Sequence, residues 1–168
     1  MTEDRFKKIM KLVEELQLEL AKVIRASVSN AIEVMFHDHI LVMDAPPVKP
    51  DADIISVLVE SEQQYMKSFL RFSYDSYLLS TLVTQIYGPD IKIDRKVLED
   101  AACEISNIVS KRVKAFLNSY GMAIEMDIPF IERKSDQHIL ETKHITHIHF
   151  LLNENQMGVD FAYSFKTA

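Results

Sequence analysis

Glycine, proline and cysteine are scarce in this chain, which has 3 Gly, 5 Pro and 1 Cys among 168 residues. Neither a GxGxxG nor a GxxxxGK[ST] string occurs, so dinucleotide binding and Walker-type nucleotide binding have no sequence support. The single cysteine, Cys103, cannot form an intrachain disulfide, which favours a reducing, cytoplasmic compartment. Charged residues recur every few positions in the N-terminal segment, so we expect neither a secretory signal nor a membrane span.

The charge balance argues against nucleic acid as a partner. The formal net charge is −6, whereas binding to a phosphate backbone requires a positive surface. The hydrophobic share of 48% and the charged share of 26% are those of a globular protein, and the length fits one domain with a real core. We therefore expect a single cytoplasmic domain that binds neither nucleic acid nor a membrane.

The hydrophobic pattern predicts an α+β fold. The first helix should cover residues 3–36, which contain no Gly or Pro, and two more helices should cover 74–87 and 95–119. Runs rich in β-branched residues or with alternating apolar positions predict strands at 40–43, 52–60, 66–73, 122–128, 140–152 and 159–165. Because helices and strands do not alternate strictly, we expect an antiparallel or mixed sheet with helices on one face.

The first helix carries a heptad seam, formed by Phe6, Ile9, Val13, Leu16, Leu20 and Val23. Such a seam either pairs with the helix of a second copy or packs on the chain's own core as an ordinary amphipathic helix. We expect residues 1–24 to be a helical extension continuous with a single domain of residues 25–168. We also expect a homodimer to which this helix contributes.

The long helix predicted at 95–119 has a polar ridge, formed by Asp100, Glu104, Asn107, Lys111 and Lys114 at steps of four, three, four and three. One interpretation is a solvated face with ion pairs one turn apart. Asn107 fits this less well, because the amide of a mid-helix Asn competes for backbone hydrogen bonds. A carboxylate and a carboxamide one turn apart can also act together, since the amide can direct a water and the carboxylate can bind a cation of a partner.

The segment DAACEISN at 100–107, followed by Pro129, resembles the signature of the CheC/CheX/FliY chemotaxis phosphatases. That signature is an Asp or Ser, a Glu four residues on, an Asn three further, and a Pro that here stands one residue closer than usual. The resemblance spans roughly residues 24–166. Only one Glu-x-x-Asn helix is present, because Asn30 and Glu33 of the first helix stand in the opposite order. A single motif is typical of CheX, which is therefore the closer relative.

The resemblance implies a phosphatase that hydrolyses the phosphoaspartate of a CheY-like receiver domain. The receiver holds the Mg²⁺, so the chain needs no cofactor of its own. By analogy Asn107 orients the attacking water and Glu104 pairs with the receiver's active-site Lys, while Asp100 and Lys111 lie in the partner-binding surface. Lys111 departs from the family, in which small residues follow the Asn, and it could either attract the phosphoryl group or obstruct docking. A non-catalytic module that binds a receiver or serves a structural role is the alternative.

Six histidines raise the possibility of a metal site. His147 and His149 share a face of a predicted strand, but no HExxH motif or Cys-rich set accompanies them, so no metal site is predicted. Cys103 adjoins Glu104, yet nothing in the sequence places a histidine beside it. We therefore expect Cys103 to be a small buried residue rather than a catalytic thiol.

Overall fold

The structure, a computed structural model, describes residues 3–45, 52–63, 66–133 and 144–166. Within these ranges it contains three helices, α1 (Glu3–Phe36), α2 (Ser76–Tyr87) and α3 (Arg95–Ser119). The strands are β1 (Leu41–Met43), β2 (Ile54–Glu62), β3 (Met66–Asp75), β4 (Phe130–Ile131), β5 (His144–Leu152) and β6 (Asn155–Phe165). No helix in these ranges is long and apolar enough to cross a bilayer.

The six strands form one antiparallel sheet in the order β1-β5-β6-β3-β2-β4. Two hairpins build most of it: β2 pairs with β3 from Ile54↔Asp75 to Glu62↔Lys67, and β5 pairs with β6 across a turn at Asn153. The predicted α+β class is thus confirmed, and of the two expected kinds of sheet, antiparallel or mixed, the structure has the antiparallel one.

All three helices cover one face of the sheet. Alternate residues of β3 and β6 point into this layer, among them Phe72, Tyr74 and Phe161, and all three are at most 2% exposed. They belong to one apolar core with buried residues of each helix. The opposite face carries polar side chains such as Arg71, whose guanidinium lies 2.8 Å from the buried carboxylate of Glu132. The helix-covered face therefore holds the core, and α3 lies on it.

The heptad seam of α1 packs on the chain's own core. Val13, Leu16 and Leu20 are buried without a second copy, whereas Leu18, which lies off the seam, is 78% exposed. The expectation that this seam contacts a partner helix is therefore wrong for these residues, because their apolar surface is already covered within the chain. Helix α1 continues without interruption past residue 24, and its residues Ile24, Val28 and Ile32 belong to the same core. The side chain of Phe6 lies outside the described residues.

The predicted strand at 122–128 does not form. This segment is extended and runs beside β2, with few backbone hydrogen bonds. One of them is donated by Asp127 N–H to the Glu60 carbonyl, and regular strand pairing with β2 begins only at β4. Its alternation arises because Ile124 is buried while its neighbours are exposed, and Ala123 has a φ of +51° that no regular strand adopts. Residues 140–143 of the strand predicted at 140–152 lie outside the described residues.

Local signals set the bounds of the two shorter helices. The carboxylate of Asp75 caps α2 by accepting from Tyr77 N–H at 3.0 Å, and that of Asp94 caps α3 by accepting from Val97 N–H at 3.0 Å. Each cap stabilises its helix by about 1 kcal/mol. The prediction began α2 at residue 74, but Tyr74 belongs to β3, where its side chain reaches the core. The bounds predicted for α3 are those observed.

Candidate functional site

The polar ridge of α3 lies opposite its buried face. Glu104 and Lys111 are exposed and Asn107 between them is half-buried, while Ile105 and Val109 on the other side are fully buried. The ridge is thus a convex strip of carboxylate, amide and ammonium groups on a rigid helix. It lines neither of the two described cavities, the larger of which, about 490 Å³, lies near Tyr120 at the far end of α3. A convex strip suits a macromolecular partner better than a small ligand.

The central ridge groups have no internal partner. Among the described residues, the side chains of Glu104, Asn107 and Lys111 make no hydrogen bond or ion pair. Asp100 differs, because Lys96 Nζ lies 3.2 Å from its carboxylate, an exposed pair that contributes little to stability. Lys114 at the other end pairs with Glu125. The ridge therefore keeps one carboxylate, one carboxamide and one ammonium group available for a partner.

A buried hydrogen bond fixes α3 to the sheet beneath Asn107. Tyr74 Oη and Ser106 Oγ lie 2.8 Å apart and both residues are fully buried. Ser106 Oγ also lies 2.8 Å from the Ala102 carbonyl, to which it donates, so Tyr74 donates to Ser106. Burial raises the pKa of Tyr74 far above its ordinary value, and the hydroxyl therefore keeps its proton. The helix position next to Asn107 is in this way tied to the C-terminal end of β3.

The first turns of α3 are held by an ion-pair network. Arg133 donates to both carboxylate oxygens of Glu99, at 2.7 and 3.3 Å, and Arg95 lies between Glu99 and Asp53. The hydrogen bond from Arg133, and then the nearby charges of the two arginines, lower the pKa of Glu99. This network joins the start of α3 to the segments that flank β2 and β4.

Further contacts hold the second half of α3. Arg112 donates to the amide oxygen of Asn30 on α1. The side-chain amide of Asn118 donates to the Ile124 carbonyl at 3.1 Å and accepts a hydrogen bond from the backbone N–H of Ile124. On α1 the Asn and Glu of the motif occur in the opposite order, as Asn30 and Glu33. The side chain of Asn30 already binds Arg112 of α3. In the part of the chain that the structure describes, only the ridge of α3 carries an unpaired Glu and Asn one turn apart.

Cys103 does not have the properties of a nucleophile. Burial, followed by the negative charges of Asp100 and Glu99, raises the pKa of its thiol, so the reactive thiolate is disfavoured. The described ranges contain no group of three His, Cys, Asp or Glu side chains placed to hold a metal ion. The chemistry that the ridge itself offers is hydrogen bonding and charge pairing.

Three residues that support the site were not predicted. Ser106 and Ser110 lie on the buried side of α3, and Tyr74 had been assigned to a helix. Ser110 Oγ donates to the Ser106 carbonyl at 2.6 Å, so its burial leaves no polar group unsatisfied. A small polar residue that bonds its own helix can be buried, and the sequence signal for this is only that Ala102, Ser106 and Ser110 recur every four residues.

No family model matches this sequence, and no curated protein matches it in sequence either. Solved structures do match it. A putative chemotaxis protein from Desulfovibrio vulgaris Hildenborough has a TM-score of 0.69 at 23% identity, over 87% of this chain and 97% of that chain. A CheC-like superfamily protein from Shewanella sp. PV-4 has a TM-score of 0.72 at 16% identity, over 88% and 99%. The CheX–CheY–BeF3–Mg²⁺ complex from Borrelia burgdorferi matches at a TM-score of 0.60 and 13% identity, over 84% and 96%.

The chain has the CheX and CheC-like fold. At these identities the likeness concerns the fold, and it extends over nearly the whole of each matched chain. The predicted α+β architecture with an N-terminal helix is therefore confirmed by solved chemotaxis proteins as well as by the element order. The roles expected of Glu104, Asn107, Asp100 and Lys111 stay predictions.

Proposed function

We propose that this chain is a cytoplasmic phosphatase that hydrolyses the phosphoaspartate of a CheY-like receiver domain. The observation that carries the proposal is the placement of Glu104 and Asn107, one turn apart on the exposed ridge of α3, with no partner among the described residues. The shared fold adds support, because one protein with this fold, the CheX from Borrelia burgdorferi, forms a complex with CheY, BeF3 and Mg²⁺.

The proposed reaction is an in-line displacement at phosphorus. The oxygen of a water attacks, the bond between phosphorus and the aspartyl oxygen breaks, and inorganic phosphate leaves while the receiver regains its carboxylate. The receiver brings both the phosphoryl group and the Mg²⁺ that neutralises its charge. The Asn107 amide accepts a hydrogen bond from the water and holds its lone pair toward phosphorus. Glu104 pairs with the receiver's active-site Lys and fixes the helix in register. Placement of this kind contributes strongly in phosphoryl transfer.

The support beneath the ridge fits this role. A water-directing amide must be held within a fraction of an ångström, and helices hold side chains better than loops do. The Tyr74–Ser106 hydrogen bond, the Asp94 cap and the Glu99 network fix α3 from below and from its first turn. Asn107 then moves little relative to the sheet, so a docked receiver meets a preformed surface.

The test is the loss of acyl phosphate from labelled CheY-like receivers, measured with and without this chain in the presence of Mg²⁺. We expect a faster loss with the cognate receiver, catalytic in this chain and abolished by removing the Asn107 amide. If no receiver in a broad panel loses phosphate faster, while one of them still binds, the chain is not a phosphatase.

A second candidate is a module that binds a receiver without catalysis, and it would apply if Lys111 obstructed docking. Lys111 lies one turn beyond Asn107 on the same ridge, so its ammonium group stands near the place where the phosphorylated site would dock. Binding of a receiver carrying an acyl-phosphate mimic, with unchanged acyl-phosphate lifetime, is the expected result for this candidate.

We also propose that the chain forms a homodimer. Because Val13, Leu16 and Leu20 are already buried, the contact would not be made by these three seam residues. Light scattering on the full chain at micromolar concentration tests this. Deleting the residues before Arg25 would not test the dimer, since that deletion takes away core side chains such as Val13 and Leu20.

A further inference from the structure

The face of the sheet that carries no helix holds two histidines side by side. His147 and His149 alternate with buried Ile148 on β5, so both side chains stand on this face. Their ring centroids are 6.5 Å apart and the ring planes differ by only 8°. The two imidazoles therefore face each other across a short gap, on the opposite side of the sheet from the core and from α3.

A carboxylate orients one of the two rings. Asp160 lies opposite His147 in the neighbouring strand β6, and its Oδ1 is 2.7 Å from Nδ1 of that histidine. When Nδ1 carries the proton and donates it to Asp160, Nε2 is the unprotonated nitrogen, and its lone pair lies in the ring plane and points away from Asp160. This carboxylate–histidine arrangement is the one that commonly fixes the tautomer of a metal-binding histidine.

The space beside the second ring is open. Gly158 lies opposite His149, and a Cβ at Gly158 would stand 4.0 Å from its Nδ1, so a larger side chain there would cover that nitrogen. The two histidines, Asp160 and Gln156 line a cavity of about 340 Å³. The side chain of His147 is 56% exposed, so an ion in solution can reach its ring while Asp160 holds the ring in place.

One metal ion can bind both rings only if His149 turns toward His147. A metal–imidazole bond is about 2.0–2.1 Å, so His149 must leave the stacked arrangement, in which the centroids are 6.5 Å apart, and bring one nitrogen within about 4 Å of His147 Nε2. Paired imidazoles favour Cu²⁺, Ni²⁺ and Zn²⁺ over Mg²⁺ and Ca²⁺, and Cu²⁺ binds tightest in that series. In the described part of the chain no third such side chain completes the group, so water supplies the remaining ligands.

We propose that His147 and His149 form a binding site for a late first-row transition-metal ion, oriented by Asp160, on the face of the sheet opposite the Glu104–Asn107 ridge. The sequence predicted no metal here, because two histidines on a strand are common; the placement of Asp160 and the open side at Gly158 are what the structure adds. This site is independent of the proposed phosphatase activity.

Titration of the full chain, free of any affinity tag, with Cu²⁺ alone tests the site by calorimetry and by the visible absorption of imidazole-bound Cu²⁺. We expect one ion per chain, affinity at least tenfold weaker in His149→Gln and in His147→Gln, and 10- to 100-fold weaker in Asp160→Asn. The matched control is the double variant His37→Gln/His39→Gln, two exposed histidines with the same spacing but not on a strand, which should bind as the wild type does.

Circular dichroism of each variant verifies that the fold is retained, and exposed His147 provides the second variant if His149→Gln does not fold. Wild-type affinity in both single variants, or loss of binding in the double control alone, overturns the site. Unchanged affinity in Asp160→Asn overturns the role given to the carboxylate.

Discussion

Tyr74 Oη donates to Ser106 Oγ over 2.8 Å in the fully buried layer between β3 and α3, one residue before Asn107. Ser106 in turn donates to the Ala102 carbonyl, so the two hydroxyls form a directed chain that ends in the backbone of the helix. A buried hydroxyl without a partner costs about 1–3 kcal/mol. This pair therefore couples the stability of the domain to the position of the ridge.

Removing the Ser106 hydroxyl should lower the free energy of unfolding more than removing the Tyr74 hydroxyl. Ser106→Ala leaves the Tyr74 hydroxyl buried with no acceptor, whereas Tyr74→Phe leaves Ser106 its bond to Ala102 and should cost about 0.5–1.5 kcal/mol. In the Ser106→Ala background, we therefore expect Tyr74→Phe to restore stability rather than lower it further. Urea unfolding of the two single variants and the double variant measures this. Additive losses in the double variant would show that the hydroxyls do not interact.

The ionised carboxylate of Glu99 should stabilise the folded chain, and this contribution should be lost in acid. Hydrogen bonding to Arg133 lowers its pKa in the folded state, so its contribution is present above the ordinary Glu value and is lost as the pH falls through the lowered pKa. Glu99→Gln should be less stable than the wild type at about pH 7, and the difference should shrink as the carboxyl is protonated. The control is Glu15→Gln, because the exposed carboxylate of Glu15 pairs with Lys11 across one turn and with no other described residue. A difference for Glu99→Gln that stays constant with pH would contradict the lowered pKa.

The sequence could predict the position of α3 but not what lies beneath it. Asp94, the charged ridge and Gly121 are local signals, and the helix indeed runs between the first and the last of them. The burial of Ser106 and Ser110 depends on hydrogen bonds to their own helix, which hydrophobicity does not report. The strand predicted at 122–128 was wrong for a different reason. Alternating burial also arises in an irregular connection that lies along the edge of a sheet. Similarly, the seam of α1 predicted an apolar stripe correctly but could not say which surface covers it.

Glu104 should control docking. Replacing it with Ala removes one charge pair and should weaken binding to a receiver carrying an acyl-phosphate mimic, while Glu104→Lys places a cation against the receiver's Lys and should weaken it by at least about tenfold. Surface plasmon resonance at two salt concentrations separates the charge effect from misfolding. Glu15→Lys on α1 is the matched charge reversal away from the ridge, and it should leave the affinity unchanged. Equal affinities for Glu104→Lys and the wild type would remove Glu104 from the interface.

Lys111 should help rather than hinder. Its exposed side chain has no partner among the described residues and can move aside for a docked receiver, so its charge should attract the phosphoryl group. We expect Lys111→Ala to lower the phosphatase rate several-fold at low ionic strength and to weaken its salt dependence. Lys111→Gly should show the same loss plus about 1 kcal/mol of helix destabilisation. A rate that rises in both variants would show that the side chain obstructs docking and would favour the non-catalytic binder.

Asn107→Ala tests the central claim most directly, through the rate at which a cognate CheY-like receiver loses its labelled acyl phosphate. Asn107 lies on the half-buried edge of the ridge, so its truncation opens no cavity and should leave the thermal stability within about 0.5 kcal/mol of the wild type. Without the amide the water is no longer directed, and the accelerated rate should fall by about 100-fold or more. Asn30→Ala on α1, which removes an exposed Asn that contacts Arg112, should retain the wild-type rate. A wild-type rate in Asn107→Ala, with the fold intact and the receiver bound, would contradict the proposed mechanism.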